Sequence, residues 1–293
     1  MFTKIINKVK GEYGFLDFGA IKVGKADDFA EEFRRYLDNG MCAEMSYLGQ
    51  NVDKRLDPSL LVEGAQSILC FLAPYGGSEG GVAGFACGVD YHKVVKDRLF
   101  CVMADIAQEF PGFRGRAFVD SAPVLERYWA ARAGLGFIGK NGFLISPQWG
   151  LRTIIGEIIC NVPASMFESH APLSVTECGS CGRCSAACPS GALGRDSIVD
   201  ARKCVAYHTV ESKEIYESHP VNYKGWIFGC EECLKVCPWN KPVDGWPEFE
   251  TYRARLREVS AQRWREMEPA EFDSSFPNSG MRRAGLEKLK NNL

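Results

Sequence analysis

The chain has 293 residues, of which 46% are hydrophobic and 25% charged, and its formal net charge at pH 7 is −2. This composition is ordinary for a globular protein, and no apolar run approaches the ~20 residues that a membrane-spanning helix needs. The near-neutral charge does not indicate a nucleic-acid binder, and the N-terminus lacks the apolar core of a signal peptide. We expect one large domain and a smaller one, with no membrane association.

The first 165 residues alternate helical and extended patterns. Amphipathic periodicity predicts helices over residues 27–39, 91–110 and 122–133, and Gly40 ends the first of them. Apolar runs bounded by turn residues predict strands over residues 67–72, 117–119 and 153–160. Strands that alternate with helices favour an α/β or α+β core.

Asp120 directly follows the short predicted strand 117–119. Ser121 can cap the helix that comes next, and Pro123 is tolerated in a first helical turn. Polar groups at the carboxyl ends of strands often contact a ligand, so Asp120 is a candidate catalytic acid. The alternative is that Asp120 only caps the helix, and its position alone leaves both roles open.

Residues 134–139 (GLGFIG) match the GxGxxG pattern of dinucleotide-binding loops. In those loops a strand precedes the glycines and a helix follows, whereas here the predicted order is reversed. The glycines more simply allow the backbone to approach a flat ligand or another segment closely. Lys140 and Asn141 come next and offer a charge and an amide at that approach.

Eight of the 13 cysteines form two sets in the C-terminal half of the chain. The first set reads CxxCxxCxxxCP from Cys178, and the second has Cys204 followed by CxxCxxxCP from Cys230. This is the bacterial two-cluster spacing, in which the fourth cysteine of each set ligates the other cluster. The predicted first ligand set is Cys178, Cys181, Cys184 and Cys237. The predicted second ligand set is Cys204, Cys230, Cys233 and Cys188.

Two other uses of the cysteines are weaker. A disulfide framework suits short secreted chains with an even cysteine count, and this chain is long with an odd count. Structural zinc sites pair two CxxC units, which the CxxCxxCxxxCP run fits poorly. Two [4Fe–4S] clusters are therefore predicted, and unpaired thiols with oxygen-sensitive clusters favour a cytoplasmic protein.

Several longer segments together resemble one family. They are residues 44–47 (EMSY), 53–58 (DKRLDP), 90–93 (DYHK), 118–126 (FVDSAPVLE), 131–141 (ARAGLGFIGKN), 200–204 (DARKC) and 229–240 (GCEECLKVCPWN). On these motifs the chain resembles the epoxyqueuosine reductases, cobalamin-dependent enzymes that complete queuosine in tRNA. The resemblance covers nearly the whole chain.

The resemblance implies an α+β fold in three parts. These are an N-terminal α/β cobalamin-binding catalytic domain over residues 1–165, a bacterial-type two-cluster ferredoxin domain over residues 166–245 and a helical tail over residues 246–293. It also implies an oxidoreductase that reduces epoxyqueuosine to queuosine at the tRNA wobble position and releases water. Electrons would pass from the two [4Fe–4S] clusters to cobalamin.

The resemblance also assigns roles to individual residues. The proton donor of the family falls on Asp120, which would lie against the cofactor. Opening an epoxide creates an alkoxide that must be protonated, and a carboxyl kept neutral beside the corrin can supply that proton. The candidate cobalamin contacts are Arg55, Asp120, Lys140, Asn141 and Lys213, the last in the long insertion between Cys204 and Cys230.

The expected partners are the anticodon region of tRNA and an electron donor that the sequence does not identify, and the protein is expected to be a monomer. Many family members carry a further C-terminal helical-repeat region, so this chain resembles either a short form or a truncated one. Basic residues from Arg253 onward are then candidates for phosphate contacts. The alternative for these residues is a solvated helical face.

Two other functions stay open at this point. One is a reductive dehalogenase-like enzyme, which shares cobalamin and two clusters but usually carries a twin-arginine export signal. The other is an iron–sulfur electron carrier whose N-terminal domain only docks a partner.

Overall fold

The computed structural model describes residues 3–167, 178–194 and 198–293. The strands are β1 (Asp17–Lys22), β2 (Ser67–Pro74), β3 (Gly115–Phe118), β4 (Phe137–Ile138), β5 (Leu144–Ile145) and β6 (Thr153–Cys160). Four of them form an antiparallel sheet in the order β1–β2–β6–β3, and β4 pairs with β5 in a separate ribbon. The sheet is the centre of the N-terminal part of the molecule.

Helices cover both faces of this sheet. The helices of the N-terminal part are α1 (Thr3–Gly11), α2 (Asp27–Asp38), α3 (Val52–Leu56), α4 (Tyr91–Glu109) and α5 (Glu126–Arg132). One core lies between the sheet and helices α1 and α4, and a second core lies between the sheet and helices α2, α3 and α5. The N-terminal part is therefore a three-layer arrangement.

Strand β2 is buried along its whole length because both of its faces are covered. Leu69, Phe71 and Ala73 belong to the core under α1 and α4. Ile68, Cys70 and Leu72 alternate with them and belong to the core under α2 and α5. Successive side chains of a strand point to opposite faces, which explains why this run is continuously apolar.

The C-terminal part consists of short helices joined by loops. They are α6 (Arg183–Ala187), a π-helix (Tyr207–Glu211), α7 (Glu232–Lys235), α8 (Arg253–Glu258), α9 (Ala261–Glu266), α10 (Pro269–Ser275) and α11 (Leu286–Asn291). Trp246 and Phe249 share the core that contains Phe15 and Phe71. The helices from α8 onward share another core with Val82 and Ala86, which lie in the glycine-rich loop between β2 and α4 (residues 75–90).

A buried ion pair joins the sheet domain to the cysteine-rich region. The Arg152 guanidinium lies 3.1 Å from Glu231 Oε2, and the Glu231 side chain is only 2% exposed. Glu231 Oε1 accepts a second hydrogen bond, at 2.6 Å, from the backbone N–H of Gly84. Both carboxylate oxygens of Glu231 are therefore satisfied by the sheet domain.

The predicted α+β class is confirmed, and the three predicted strands and the first two predicted helices are present with small shifts at their ends. The third prediction was wrong at its start, because α5 begins at Glu126 rather than at residue 122. Ala122 precedes Pro123, and a residue before proline disfavours the helical conformation. Ser121 donates its hydroxyl to the Val119 carbonyl at 3.2 Å and does not cap the helix.

The division into parts at residues 165 and 245 stays a prediction. Residues 168–177, which follow the first predicted boundary, lie outside the described residues. Among the helices that the structure describes, none combines the length and the apolar character that crossing a bilayer requires.

Gly19 of β1 should be intolerant of a side chain. A Cβ atom at this position would collide with the carbonyl oxygen of Ala133 at the end of α5. We expect Gly19→Ala to lower the free energy of unfolding by about 1–3 kcal/mol, as overpacking of a core does. Gly24→Ala is the matched control, because no heavy atom lies within 4 Å of its added Cβ. Equal denaturation midpoints for the two variants would contradict this packing.

Candidate active site and cluster sites

The structure brings the thiols of each predicted ligand set together. Cys178, Cys181, Cys184 and Cys237 line one small pocket, which we call the first cluster site. In the second cluster site, Cys230 and Cys233 lie within electrostatic range of Cys188 and Cys204. Cys237, from the second motif, thus lies with the three remaining cysteines of the first motif. Cys188, from the first motif, lies with those of the second.

Local structure explains how these spacings produce two compact groups. Cys181 N–H bonds to the Cys178 carbonyl at 3.0 Å, and the short helix α6 then carries Cys184. Pro189 follows Cys188 and supplies no donor to continue the helix. The Cys188 sulfur accepts a hydrogen bond from the backbone N–H of Ala192 at 3.3 Å. Such bonds to sulfur influence cluster potentials.

A cavity of about 310 Å³ lies between the N-terminal domain and the second cluster site. Its apolar wall includes Met45, Phe85, Val210 and Phe228, and its polar wall includes Tyr91, His92 and Arg283. Cys204 of the second ligand set also lines it. The size and the mixed lining are typical of a ligand site.

Asp120 lies at the edge of this cavity in an array of hydrogen bonds. Its Oδ2 accepts from the Tyr91 hydroxyl at 2.5 Å and lies 3.3 Å from His92 Nε2. His92 Nδ1 is 2.7 Å from Oδ1 of Asp90, the residue that caps α4. The imidazole of His92 therefore bridges two carboxylates.

This array fixes where the proton lies. Burial opposes the charge on His92, but hydrogen bonds to Asp120 and Asp90 outweigh it and raise the pKa of His92 to about 9. Burial opposes ionisation of Asp120 as well, but hydrogen bonds from His92 and Tyr91 outweigh it and lower the Asp120 pKa. These directions favour a protonated His92 beside an ionised Asp120 in the chain alone, and the expectation of a neutral Asp120 beside the corrin stays a prediction.

The backbone at Asp120 is in the left-handed region, with φ of 57°. Aspartate tolerates this conformation better than most residues, although it still costs free energy. The Asp120 N–H donates to Glu126 Oε1 at 2.5 Å, which holds the turn from the following helix. The side chain of Asp120 is about half exposed (52%), so it is accessible from the cavity side.

A second acidic group lies behind Asp120. Glu157 of β6 is completely buried, and Glu126 is partly buried next to it. Burial, followed by the negative charge of Asp120, raises the pKa of Glu126 to about 8. Burial and the neighbouring Glu126 carboxyl raise the pKa of Glu157 well above its ordinary value.

The other predicted cobalamin contacts lie in different surroundings. Lys140 Nζ donates to the carbonyls of Gly179 and Cys181, at 2.6 and 3.0 Å, and Lys140 and Asn141 line the first cluster site. Arg55 is buried, and its guanidinium donates to the Tyr47 carbonyl at 2.9 Å. Lys213 is exposed just after the π-helix. Their contacts with cobalamin stay predictions.

The glycine-rich turn behaves as a point of close approach. Helix α5 precedes it and strand β4 follows, in the order that argued against a dinucleotide loop. A Cβ atom at Gly136 would collide with the carbonyl oxygen of Ile145, and one at Gly139 with the Ile145 side chain. The glycines allow the turn to pack on β5, next to the first cluster site.

Sequence reasoning missed several residues of the site. Tyr91 and His92 belong to the DYHK motif, but nothing in that motif identifies them as partners of Asp120. Glu126 is the last residue of the motif that contains Asp120. Helical periodicity could have predicted its position near Asp120 only if the start of α5 were known. Glu157 had a clearer signal, since an acid within the apolar run of β6 must have a buried partner.

The fold and these sites define a class. A sheet domain with an acid–imidazole array at its cavity contacts a module that groups eight thiols in two sets, as in a two-cluster iron–sulfur oxidoreductase. The comparisons with known proteins specify it further.

Two family profiles match the chain. The 4Fe-4S double cluster binding domain matches residues 177–240, and the epoxyqueuosine reductase family QueG (DUF1730) matches residues 55–121. The epoxyqueuosine reductase of Cyclobacterium marinum is 34% identical, over 99% of this chain and 95% of its own length. That of Cellulophaga algicola is 37% identical, over 96% and 93%. The structure of epoxyqueuosine reductase from Streptococcus thermophilus has a TM-score of 0.83 at 26% identity, over 100% of this chain and 80% of that one.

The chain therefore belongs to the epoxyqueuosine reductase family. It is an oxidoreductase that reduces epoxyqueuosine in tRNA, and its cysteine-rich module binds two [4Fe–4S] clusters. The predictions of family, activity and clusters are confirmed.

The exchange of fourth ligands can be tested one cluster at a time. Cys237→Ser should disable the first cluster and Cys188→Ser the second, each lowering iron from about eight to about four atoms per chain. Cys101→Ser is the control, because Cys101 is exposed and outside both sets. Iron analysis and electron paramagnetic resonance of the reduced proteins measure the result. Signals from the same remaining cluster in both variants would contradict the exchange.

Proposed function

We propose that electrons enter the protein at the first cluster site and reach the substrate cavity through the second. Cys204 belongs to the second ligand set and also lines the cavity, which supports this direction. The first cluster site is bordered by exposed residues, including Gly182 and Arg183. An external donor can approach there without entering the cavity.

The cavity fits a flat redox cofactor, and we propose cobalamin. The apolar wall formed by Phe85, Val210 and Phe228 suits a macrocycle, and Cys204 lines the same cavity. When bound, cobalamin supplies a low-potential cobalt centre that transfers electrons to the substrate. Residues Tyr207–Glu211, in the insertion between Cys204 and Cys230, would cover one side of it.

Proton supply is the part of the chemistry that the side chains perform. Conversion of an epoxide to an alkene and water consumes two electrons and two protons, and the departing oxygen must be protonated as its bonds to carbon break. Asp120 accepts a hydrogen bond from Tyr91 and lies 3.3 Å from His92 Nε2, and both of these residues line the cavity. We propose that Asp120 transfers a proton from this array to the epoxide oxygen.

The proposed nucleic-acid partner is the anticodon stem loop of tRNA. A related epoxyqueuosine reductase has been solved with an epoxyqueuosine-modified tRNA-Tyr stem loop, and its fold matches this chain with a TM-score of 0.85. Most arginines of the C-terminal segment pair with acids, among them Arg253 with Glu250 and Arg257 with Glu79. Ion pairing favours a structural or solvated role for those arginines, and Arg283, which lines the cavity, is likewise paired with Glu211 at 3.0 Å. The exposed Arg255 and Arg265 suit phosphate contacts better.

The hypothesis of a simple electron carrier is less well supported. A carrier has no use for a cavity edge where a histidine bridges two carboxylates, one of them on a strained turn. That array is the observation on which the proposed function chiefly rests. The electron donor stays unidentified.

Asp120→Asn should abolish turnover without disturbing the clusters. The asparagine is isosteric but cannot deliver a proton, so we expect the rate to fall by about 10²-fold or more. The assay is conversion of epoxyqueuosine-containing tRNA with cobalamin and a reductant, followed by nucleoside mass analysis. Asp97→Asn is the control, on an exposed part of α4. Retained activity in the Asp120 variant would remove it as proton donor, and an inactive wild type would refute the proposed function.

A further inference from the structure

The carboxyls of Glu126 and Glu157 form a buried acid pair behind the turn of Asp120. Glu157 lies on the inner strand β6, opposite Cys70 of β2 and Phe118 of β3, and it is completely buried. Within the described residues, neither of its carboxylate oxygens has a hydrogen-bond partner. After burial itself, the Glu126 carboxyl has the largest effect on the ionisation of Glu157. A completely buried carboxyl without a cation is stable only when it is protonated or shares a proton.

No cation neutralises this pair fully. The groups that face Glu126 are Asp120, Glu157, Tyr91 and the guanidinium groups of Arg55 and Arg127. The neutral thiol of Cys70 faces Glu157 from β2. Arg127 is exposed and donates to the Gly142 carbonyl, and Arg55 donates to backbone carbonyls. The pair therefore resembles the shared-proton carboxyl pairs in which only one member ionises.

We propose that Glu126, backed by a protonated Glu157, holds Asp120 in its active position. Glu157 keeps its proton, so Glu126 is the only member of the pair that ionises, and its Oε1 accepts the Asp120 backbone N–H. That bond offsets the cost of the left-handed backbone at Asp120. Glu126 and Glu157 are positioning residues on this view, and the proposal rests on the proposed role of Asp120.

The direction of the pH dependence follows from the raised pKa of Glu126. A group whose pKa is raised on folding contributes stability that is complete below its ordinary value and is lost as pH rises through the folded value. The pKa of Glu126 rises from 4.5 to about 8, so Glu126 loses its proton near pH 8. The pKa of the completely buried Glu157 is raised as well, and Glu157 keeps its proton because a second buried charge beside Glu126 would be repelled. His92 loses its proton at about pH 9, which is the next titration in the site.

Two substitutions separate the roles of the two carboxyls. Glu157→Gln keeps a neutral donor beside Glu126 and should keep turnover within about 3-fold of wild type. Its turnover should follow the wild-type profile through pH 8 and decline only with His92. Glu126→Ala removes the acceptor of the Asp120 N–H and should lower kcat by 10-fold or more, with KM little changed.

Infrared spectroscopy tests the pair independently of turnover. The protein carrying its clusters should show the carbonyl bands of two protonated carboxyls, one of which disappears as pH rises through about 8 while the other persists. The persistent band should be absent in Glu157→Gln and present in Asp120→Asn. A pH-independent spectrum, or loss of both bands together, would overturn this protonation of the pair even if Asp120 is the proton donor. An inactive Glu157→Gln would overturn the positioning role.

A separate observation concerns the first cluster site. Asn141 is 3% exposed and lines that pocket with the four thiols. Its Oδ1 accepts from the backbone N–H of Phe143 at 3.3 Å, which fixes the orientation of the amide. Its Nδ2 is buried and has no hydrogen-bond partner among the described residues. A buried amide donor without a partner is rare, and here sulfur atoms of a cluster would lie next to it.

We infer that Asn141 Nδ2 donates a hydrogen bond to the first [4Fe–4S] cluster. Hydrogen bonds to cluster sulfurs stabilise the reduced state and raise the potential. Asn141 therefore makes the entry cluster easier to reduce. Lys140 supports this arrangement by holding the loop of Gly179 and Cys181 through their carbonyls.

Asn141→Leu removes the donor in a side chain of similar size. We expect a more negative potential for the first cluster alone. Redox titration monitored by electron paramagnetic resonance measures it. Electron–nuclear double resonance should also lose one exchangeable proton coupled to that cluster. Asn7→Leu, at an exposed position of helix α1, is the control. Unchanged potential and unchanged proton coupling would overturn the inference.

Discussion

The buried carboxylate of Glu231 is the contact on which the arrangement of the two parts depends. It lies between Cys230 and Cys233 in sequence, yet its oxygens bind Arg152 and the N–H of Gly84 in the sheet domain. Loss of the carboxylate would leave a largely buried guanidinium and a backbone donor without partners, a change that costs several kcal/mol. The second cluster site is therefore held against the edge of the sheet and its glycine-rich loop, and the distance for electron transfer is set by packing rather than by a flexible linker.

This arrangement separates the paths of electrons and protons. Thiols approach the cavity from the cysteine-rich side, where Cys204 is part of its wall. His92 and the acid pair behind Asp120 lie on the other side, and the pKa of each of these three groups is raised. Hydrogen bonds from His92 and Tyr91 lower the pKa of Asp120, so the proposed proton transfer depends on these neighbours rather than on burial of the Asp120 carboxyl. Both paths end at the same cavity, whose apolar wall limits access of bulk water.

The sequence was most informative where spacing alone carries the chemistry. Both ligand sets could be predicted from the intervals between cysteines, and the buried strand β2 could be predicted from its apolar run. The sequence was less informative where tertiary contacts override local pattern. Because of Pro123 and the left-handed backbone at Asp120, helix α5 begins only at Glu126. Helical periodicity could not predict this shift. Lys140 was predicted at the cobalamin, although the structure brings it to carbonyls of the first cluster site, because the turn between β4 and β5 could not be oriented from sequence.

The position of Glu157 shows why the rest of the site was not predictable. Its neighbours in sequence are apolar, so its environment depends on which residues lie across the sheet and above it. Register places it between Cys70 and Phe118, and helix α5 then brings Glu126 over the same face. Three elements that are distant in sequence must meet before the two carboxyls become a pair. Only then can the buried pair help to hold Asp120. The strain at Asp120 and the unpaired oxygens of Glu157 are thus two parts of one arrangement, since each is tolerable only because Glu126 lies between them.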